Sequence, residues 1–95
     1  MLTHVVLFKL RDKSPEILNT AVAKLQSLQG KIPQLVSLSI GADVIHTERS
    51  YDLALVAVFA SQADMQAYQI HPEHVKVSEY MTSIRESVIA VDFES

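Results

Sequence analysis

Between Tyr51 and Phe59 nearly every position is apolar, whichever side of an extended chain it falls on. Tyr51, Leu53, Leu55, Ala57 and Phe59 share one parity, while Asp52, Ala54, Val56 and Val58 share the other. A strand that suits water on neither face belongs at the centre of a sheet. The rest of the chain must therefore supply strands on both sides of it and cover for both faces.

The flanking sequence provides the strands. From Leu2 to Leu10, His4, Val6, Phe8 and Leu10 alternate with Thr3, Val5, Leu7 and Lys9, a period-two pattern that is again largely apolar on both parities. Gln34 to Ile40 predicts another strand, after Pro33 has biased Ile32 toward extended structure, and Ser87 to Phe93 predicts the last, apolar on both parities except for Asp92. The polar stretch Gly41 to Ser50 reads as a strand end and a loop.

Helices fall between these strands. After the charged turn Arg11, Asp12, Lys13, Ser14 is a good N-cap and Pro15 fits the first helical position, where its missing N–H costs nothing. Leu18, Ala21, Val22, Leu25 and Leu28 then recur at helical spacing, and Gly30 supplies a left-handed stop. Ser61 to Asp64 resembles a capping box opening a helix that carries Met65 and Tyr68 and must break near Pro72. His71 can cap a short further helix with Val77, Met81 and Ile84 along one side. No internal repeat, linker or low-complexity segment interrupts residues 1–95, so a single domain is expected.

Strand, helix, strand, strand, helix, strand is the order of the split β-α-β unit, an α+β fold with a four-stranded antiparallel sheet and its helices on one face. Amphipathic helices cover only that face. Val5, Leu7, Ala54, Val56 and Val58 load the other, and each such side chain contributes roughly 1.5–3 kcal/mol when buried rather than left wet. A second copy packed sheet on sheet covers this face without new sequence, so a homodimer is expected; a strand-swapped or heteromeric cover is the alternative.

Composition narrows the function classes. The chain has 95 residues and no cysteine, which excludes a disulfide staple and a thiolate zinc site. Its net charge of −3, with the basic residues scattered, offers no footprint for nucleic acid or an anionic membrane. No window is long and apolar enough for a membrane-spanning helix, and the run from Met1 to Lys9 lacks the basic start and long apolar stretch of a signal peptide, so a cytoplasmic location is the expectation.

The densest group of reactive side chains is Tyr68, Gln69, Ile70, His71, Pro72, Glu73, His74. Pro72 ends one helix with Tyr68 on its last turn and starts the next with His74 in its first turn, which can bring a phenol and an imidazole together. His74 could then act as general base while the Tyr68 hydroxyl donates to a developing oxyanion, with no cofactor needed. The plainer alternatives are that Tyr68 packs and that the histidine before Pro72 caps a helix. A metal held by His71 and His74 is not expected, because the helical metal motif uses an i, i+4 pair with a general-base Glu. His4 lies in a strand and shares its face with Val6 and Phe8, whereas His46 reads as a loop residue.

The runs His4–Leu10, Tyr51–Phe59, Tyr68–Val75 and Val91–Phe93, in their order and spacing, resemble the stress-responsive α/β-barrel (Dabb) family along nearly the whole chain. The resemblance implies a ferredoxin-like βαββαβ fold that forms a dimeric α+β barrel. It also implies a site in the cavity between sheet and helices, where His4, Leu53, Tyr68 and His74 would converge. Plant members include polyketide cyclases in which a Tyr and a His matching Tyr68 and His74 do acid–base work; this chain keeps that pair but has Leu53 where the cyclase pattern has a histidine.

The resulting expectation is a homodimer that binds a small apolar or aromatic metabolite, in the setting of a stress response. Tyr68 and His74 are the candidate catalytic residues, and His4, Val6, Phe8, Leu53, Leu55 and His71 the candidate ligand contacts. A cofactor-free cyclase, lyase or isomerase acting on a carbonyl compound, and a purely structural dimeric domain, are the alternatives.

Overall fold

A computed structural model describes all residues 1–95. Strand β1 (Leu2–Leu10) leads into helix α1 (Pro15–Gln26), then β2 (Leu35–Ala42), β3 (Leu53–Phe59), α2 (Gln62–Ile70), α3 (Pro72–Ile84) and β4 (Arg85–Glu94). The four strands form one antiparallel sheet in the order β2-β3-β1-β4, so β1 and the doubly apolar β3 are the central pair. No helix is long and apolar enough to cross a membrane.

The helix ends follow the local chemistry of their caps. Ser14 accepts from Ile17 N–H with Pro15 at the first helical position, Ser61 accepts from Asp64 N–H, and His71 accepts through Nδ1 from Glu73 N–H. α1 ends at Gln26 with Ser27 as its cap, earlier than the expected stop at Gly30; Gly30 instead takes φ +84° in the turn that follows, the left-handed conformation glycine adopts without a Cβ penalty. The helix after Pro72 runs for 13 residues rather than a short turn, with Met81 sealed in the core and Val77 and Ile84 packed against it.

Three strand boundaries differ from the sequence reading. β2 starts after Gln34 and runs past Ile40, because Gly41 and Ala42 still find partners in Ala54 and Leu53. Tyr51 and Asp52 precede β3; the Asp52 carboxylate accepts from Leu10 N–H and from Lys13, which fastens the loop to the end of β1. β4 begins at Arg85, directly after α3, since Arg85 pairs with Leu10 across a bulge.

The strand register sorts the side chains cleanly by face. Phe8, Leu10, Leu53, Leu55, Ala57 and Phe59 turn toward the helices and are buried. On the opposite face run three rows: Ser37, Val58, Thr3, Phe93; then Ser39, Val56, Val5, Val91; then Gly41, Ala54, Leu7, Ile89. No helix covers this face, and Ile89, Val91 and Phe93 stand 49, 63 and 48% exposed on it. Single soluble chains seldom leave so continuous an apolar surface to water.

Candidate functional site

Helices α1 and α2 pack on β2 and β3, while the β1–β4 side of the sheet is less closely covered. A cavity of about 220 Å³ opens there. Its sheet wall is His4, Val6 and Phe8 of β1 with Leu55 of β3 and Val88 of β4. Leu25 and Leu28 close it from the first helix and its end, Tyr68 and Gln69 from α2, and His74, Val77, Ser78, Met81 and Thr82 from α3, with Arg85 at the start of β4.

The break between α2 and α3 determines the arrangement at one end. His71 sits between the helices in extended conformation (φ −64°, ψ 136°), so α3 restarts at an angle and carries His74 back over the last turn of α2. The Tyr68 and His74 rings lie 4.4 Å apart, and Tyr68 packs its other neighbour, Phe59, at 4.9 Å. His74 Nδ1 is 3.0 Å from the Gln69 carbonyl oxygen. A carbonyl only accepts, so Nδ1 carries the proton and the neutral ring presents an unprotonated Nε2.

Electrostatics keeps both groups neutral near pH 7. Burial pushes the His74 pKa below its ordinary 6.5, the neighbouring His4 pushes it the same way, and the Gln69 bond opposes them. Burial pushes the Tyr68 hydroxyl up to about 12. Tyr68 is only 1% exposed, yet its oxygen is not sealed without a partner, since the one such side-chain atom in the chain is Gln34 Oε1; the phenol opens toward the cavity it lines. The corner thus offers an O–H donor beside a nitrogen that can accept a proton.

Of the expected residues, His4, Val6, Phe8, Leu55, Tyr68 and His74 come together around this cavity. Two do not. Leu53, opposite Phe8 at the loop end of β3, is 2% exposed and sealed in the core away from the cavity wall. His71 is occupied as a helix cap through its bond from Glu73 N–H, and its ring does not line the cavity.

The sequence reading assigns no role to Asp92, Gln69, Ser78, Thr82 or Arg85. Asp92 stands directly across from His4 in the β1–β4 ladder, and its Oδ1 accepts the hydrogen bond from His4 Nδ1. Its signal is the one charge between Ser87 and Phe93, the segment the sequence predicts as the last strand. The Gln69 contribution comes from its backbone carbonyl and leaves no mark in residue type.

Comparison with known proteins agrees with this architecture. Residues 2–95 match the family model described as the stress responsive A/B barrel domain. DABB1 of Arabidopsis thaliana, a stress-response A/B barrel domain-containing protein, is 35% identical over 99 residues, which cover 95% of this chain and 45% of that protein; the chain spans less than half the length of this relative. A dimeric ferredoxin-like protein from Thermobifida fusca superposes with a TM-score of 0.89 at 28% identity, covering 99% of this chain and 90% of that one. Another from Bacteroides fragilis gives 0.86 at 29%, covering 99% and 95%. A split β-α-β sheet with helices on one face, shared along its length with dimeric ferredoxin-like proteins, and a family match that omits only Met1 lead to one conclusion: the chain belongs to the stress-responsive A/B barrel domain family.

Proposed function

We propose that this chain forms a homodimer through its open sheet face and binds a small, mainly apolar or aromatic molecule in the cavity of each protomer. The observation that carries the reading is the cavity itself: an apolar space with its few polar groups gathered at defined points, the composition of a small-molecule site. The dimer is supported by the dimeric relatives and by the exposed row of Ile89, Val91 and Phe93, which a two-fold partner buries. The cavity and the open face lie on opposite sides of the sheet, so dimerisation leaves the cavity accessible.

The paired Tyr68 and His74 support a second reading in which the bound molecule also reacts. A neutral His74 Nε2 can remove a proton next to a carbonyl, while the protonated Tyr68 hydroxyl donates to the enolate oxygen that forms. The same His74 then returns the proton, so the chemistry needs only these two side chains.

Native mass spectrometry of freshly purified protein tests the first reading. The expected spectrum has the mass of two chains plus a small molecule, and Val77→Trp, which fills the cavity from α3, is expected to lose the added mass while remaining dimeric. A wild-type dimer that carries no additional mass and takes up no compound from a library of small aromatic and acyl molecules would sink it.

A further inference from the structure

The cavity is not electrically uniform. Its floor follows β1 and β4 from the His4–Asp92 pair, past Val6 and Phe8, to the Leu10–Arg85 pair, a span of about 20 Å at about 3.3 Å per residue. Arg85 lines the cavity at the end remote from His4, and Ser78 and Thr82 of α3 also lie on the wall. It is the one permanently charged side chain in the lining, and no Asp or Glu lines the cavity with it.

The ion pairs of the chain are His4–Asp92, Lys13–Asp52, His46–Asp43 and Lys76–Glu73, so Arg85 belongs to none of them. Arg85 is partly buried, its side chain has no partner in the chain, and none of its nitrogens is sealed from the cavity or solvent, so its donors are free to meet an anion that enters. What sets Arg85 apart from the other unpaired basic side chains is its place in the cavity wall, where no acidic side chain competes for it.

We infer that the cavity takes a small monocarboxylic acid, its carboxylate held by Arg85 and its apolar body lying on Val6, Phe8 and Val88. This deepens, and rests on, the small-molecule reading above. A planar guanidinium forks onto the two oxygens of one carboxylate and matches its single charge. A phosphate dianion calls for more donors and more positive charge than one arginine with the Ser78 and Thr82 hydroxyls. Size narrows the class further: about 220 Å³ is below the roughly 300–1,000 Å³ of sites for drug-sized ligands, while an apolar cavity of about 150 Å³ accepts a benzene ring. An aromatic ring or a short branched chain bearing one carboxylate fits these limits.

Calorimetric titration of the intact protein with phenylacetate, its neutral amide phenylacetamide, and phenyl phosphate tests the assignment. The acid is expected to bind roughly ten- to a hundred-fold more tightly than the amide. Arg85→Gln is expected to erase that preference, and Arg85→Lys, which keeps the charge but loses the fork, to retain part of it. Equal affinity for acid and amide in the unaltered protein overturns the inference and leaves the small-molecule reading standing. A preference that survives Arg85→Gln, or phenyl phosphate binding more tightly than the acid, also overturns it. If neither phenylacetate nor its amide binds, the acid assignment fails, and native mass spectrometry decides separately whether the small-molecule reading fails with it.

Discussion

His4 and Asp92 face each other across the β1–β4 ladder, and the Asp92 carboxylate accepts the hydrogen bond from His4 Nδ1. This fixes the imidazole with Nδ1 protonated, so that in the neutral ring Nε2 is the nitrogen left unprotonated. His74 is anchored the same way, through Nδ1 to the Gln69 carbonyl. Two imidazoles from distant parts of the chain thus reach one cavity, each anchored through Nδ1 to an acceptor.

Removing the carboxylate releases the first of them. Asp92→Ala is expected to leave the fold intact, since Asp92 is more than a third exposed, and to redistribute His4 between its two tautomers. Long-range proton–nitrogen NMR reads this directly: His4 of the unaltered protein should show the Nδ1–H pattern and the variant a mixture. Identical patterns in both would mean that the ring is held by something other than Asp92.

His74 should titrate below 6.5, as burial disfavours its charged form. The unfolded chain then takes up a proton on lowering the pH before the folded chain does. Its contribution to stability is complete above about 6.5 and is lost as the pH falls through the interval down to the depressed folded value. His74→Gln should flatten that part of the curve of melting temperature against pH. Imidazole proton shifts giving His74 a midpoint above 6.5 would contradict the effect of burial.

Two substitutions at Tyr68 separate its ring from its hydroxyl. Tyr68→Phe keeps the packing on Phe59 and His74 and should change stability by no more than about 0.5–1.5 kcal/mol. Tyr68→Ala vacates a fully buried position and should cost about 3–5 kcal/mol. Ligand binding or turnover should fall in both, which chemical denaturation alongside an activity or binding assay distinguishes. If Tyr68→Phe leaves ligand behaviour untouched, the hydroxyl plays no part in the site.

The two neighbouring histidines should respond differently. His71→Ala removes the cap on α3 and is expected to lower stability by about 1 kcal/mol without changing ligand affinity. His74→Ala should change ligand behaviour, with a catalytic role showing as a roughly 10²–10⁴-fold loss of turnover against a much smaller change in affinity. Equal effects of both variants on the ligand would place His71 in the site after all.

Val56 lies in the middle row of the open face, between Ser39 and Val5. Val56→Lys puts an unpaired charge into the proposed interface, which is costly to bury, and light scattering should report a monomer or a strongly weakened dimer. A dimer of undiminished affinity would move the interface elsewhere.

Much of this was legible because the signals were local. Ser14 and Pro15 mark the start of α1 by what their own side chains allow, and the parity of β1 and β3 assigns each residue to a face. Parity does not say where along a strand the helices stand away from the sheet, which is why Leu55 reaches the cavity and Leu53, on the same face, does not. Likewise His71 and His74 are alike as residue types, and only the chain direction at Pro72 makes one a cap and the other a cavity residue. The Asp92 and Arg85 contributions needed the register of β1 against β4, a pairing between the two ends of the sequence.

That register has a consequence for how the family can diversify. On β1 the even positions His4, Val6 and Phe8 line the cavity, whereas the odd positions Val5 and Leu7 lie on the uncovered side of the sheet. One strand therefore carries two interleaved messages, each read by a different neighbour. Substitutions at even positions can reshape the cavity wall while the odd positions keep the uncovered face apolar, so the two sides of the sheet can change independently.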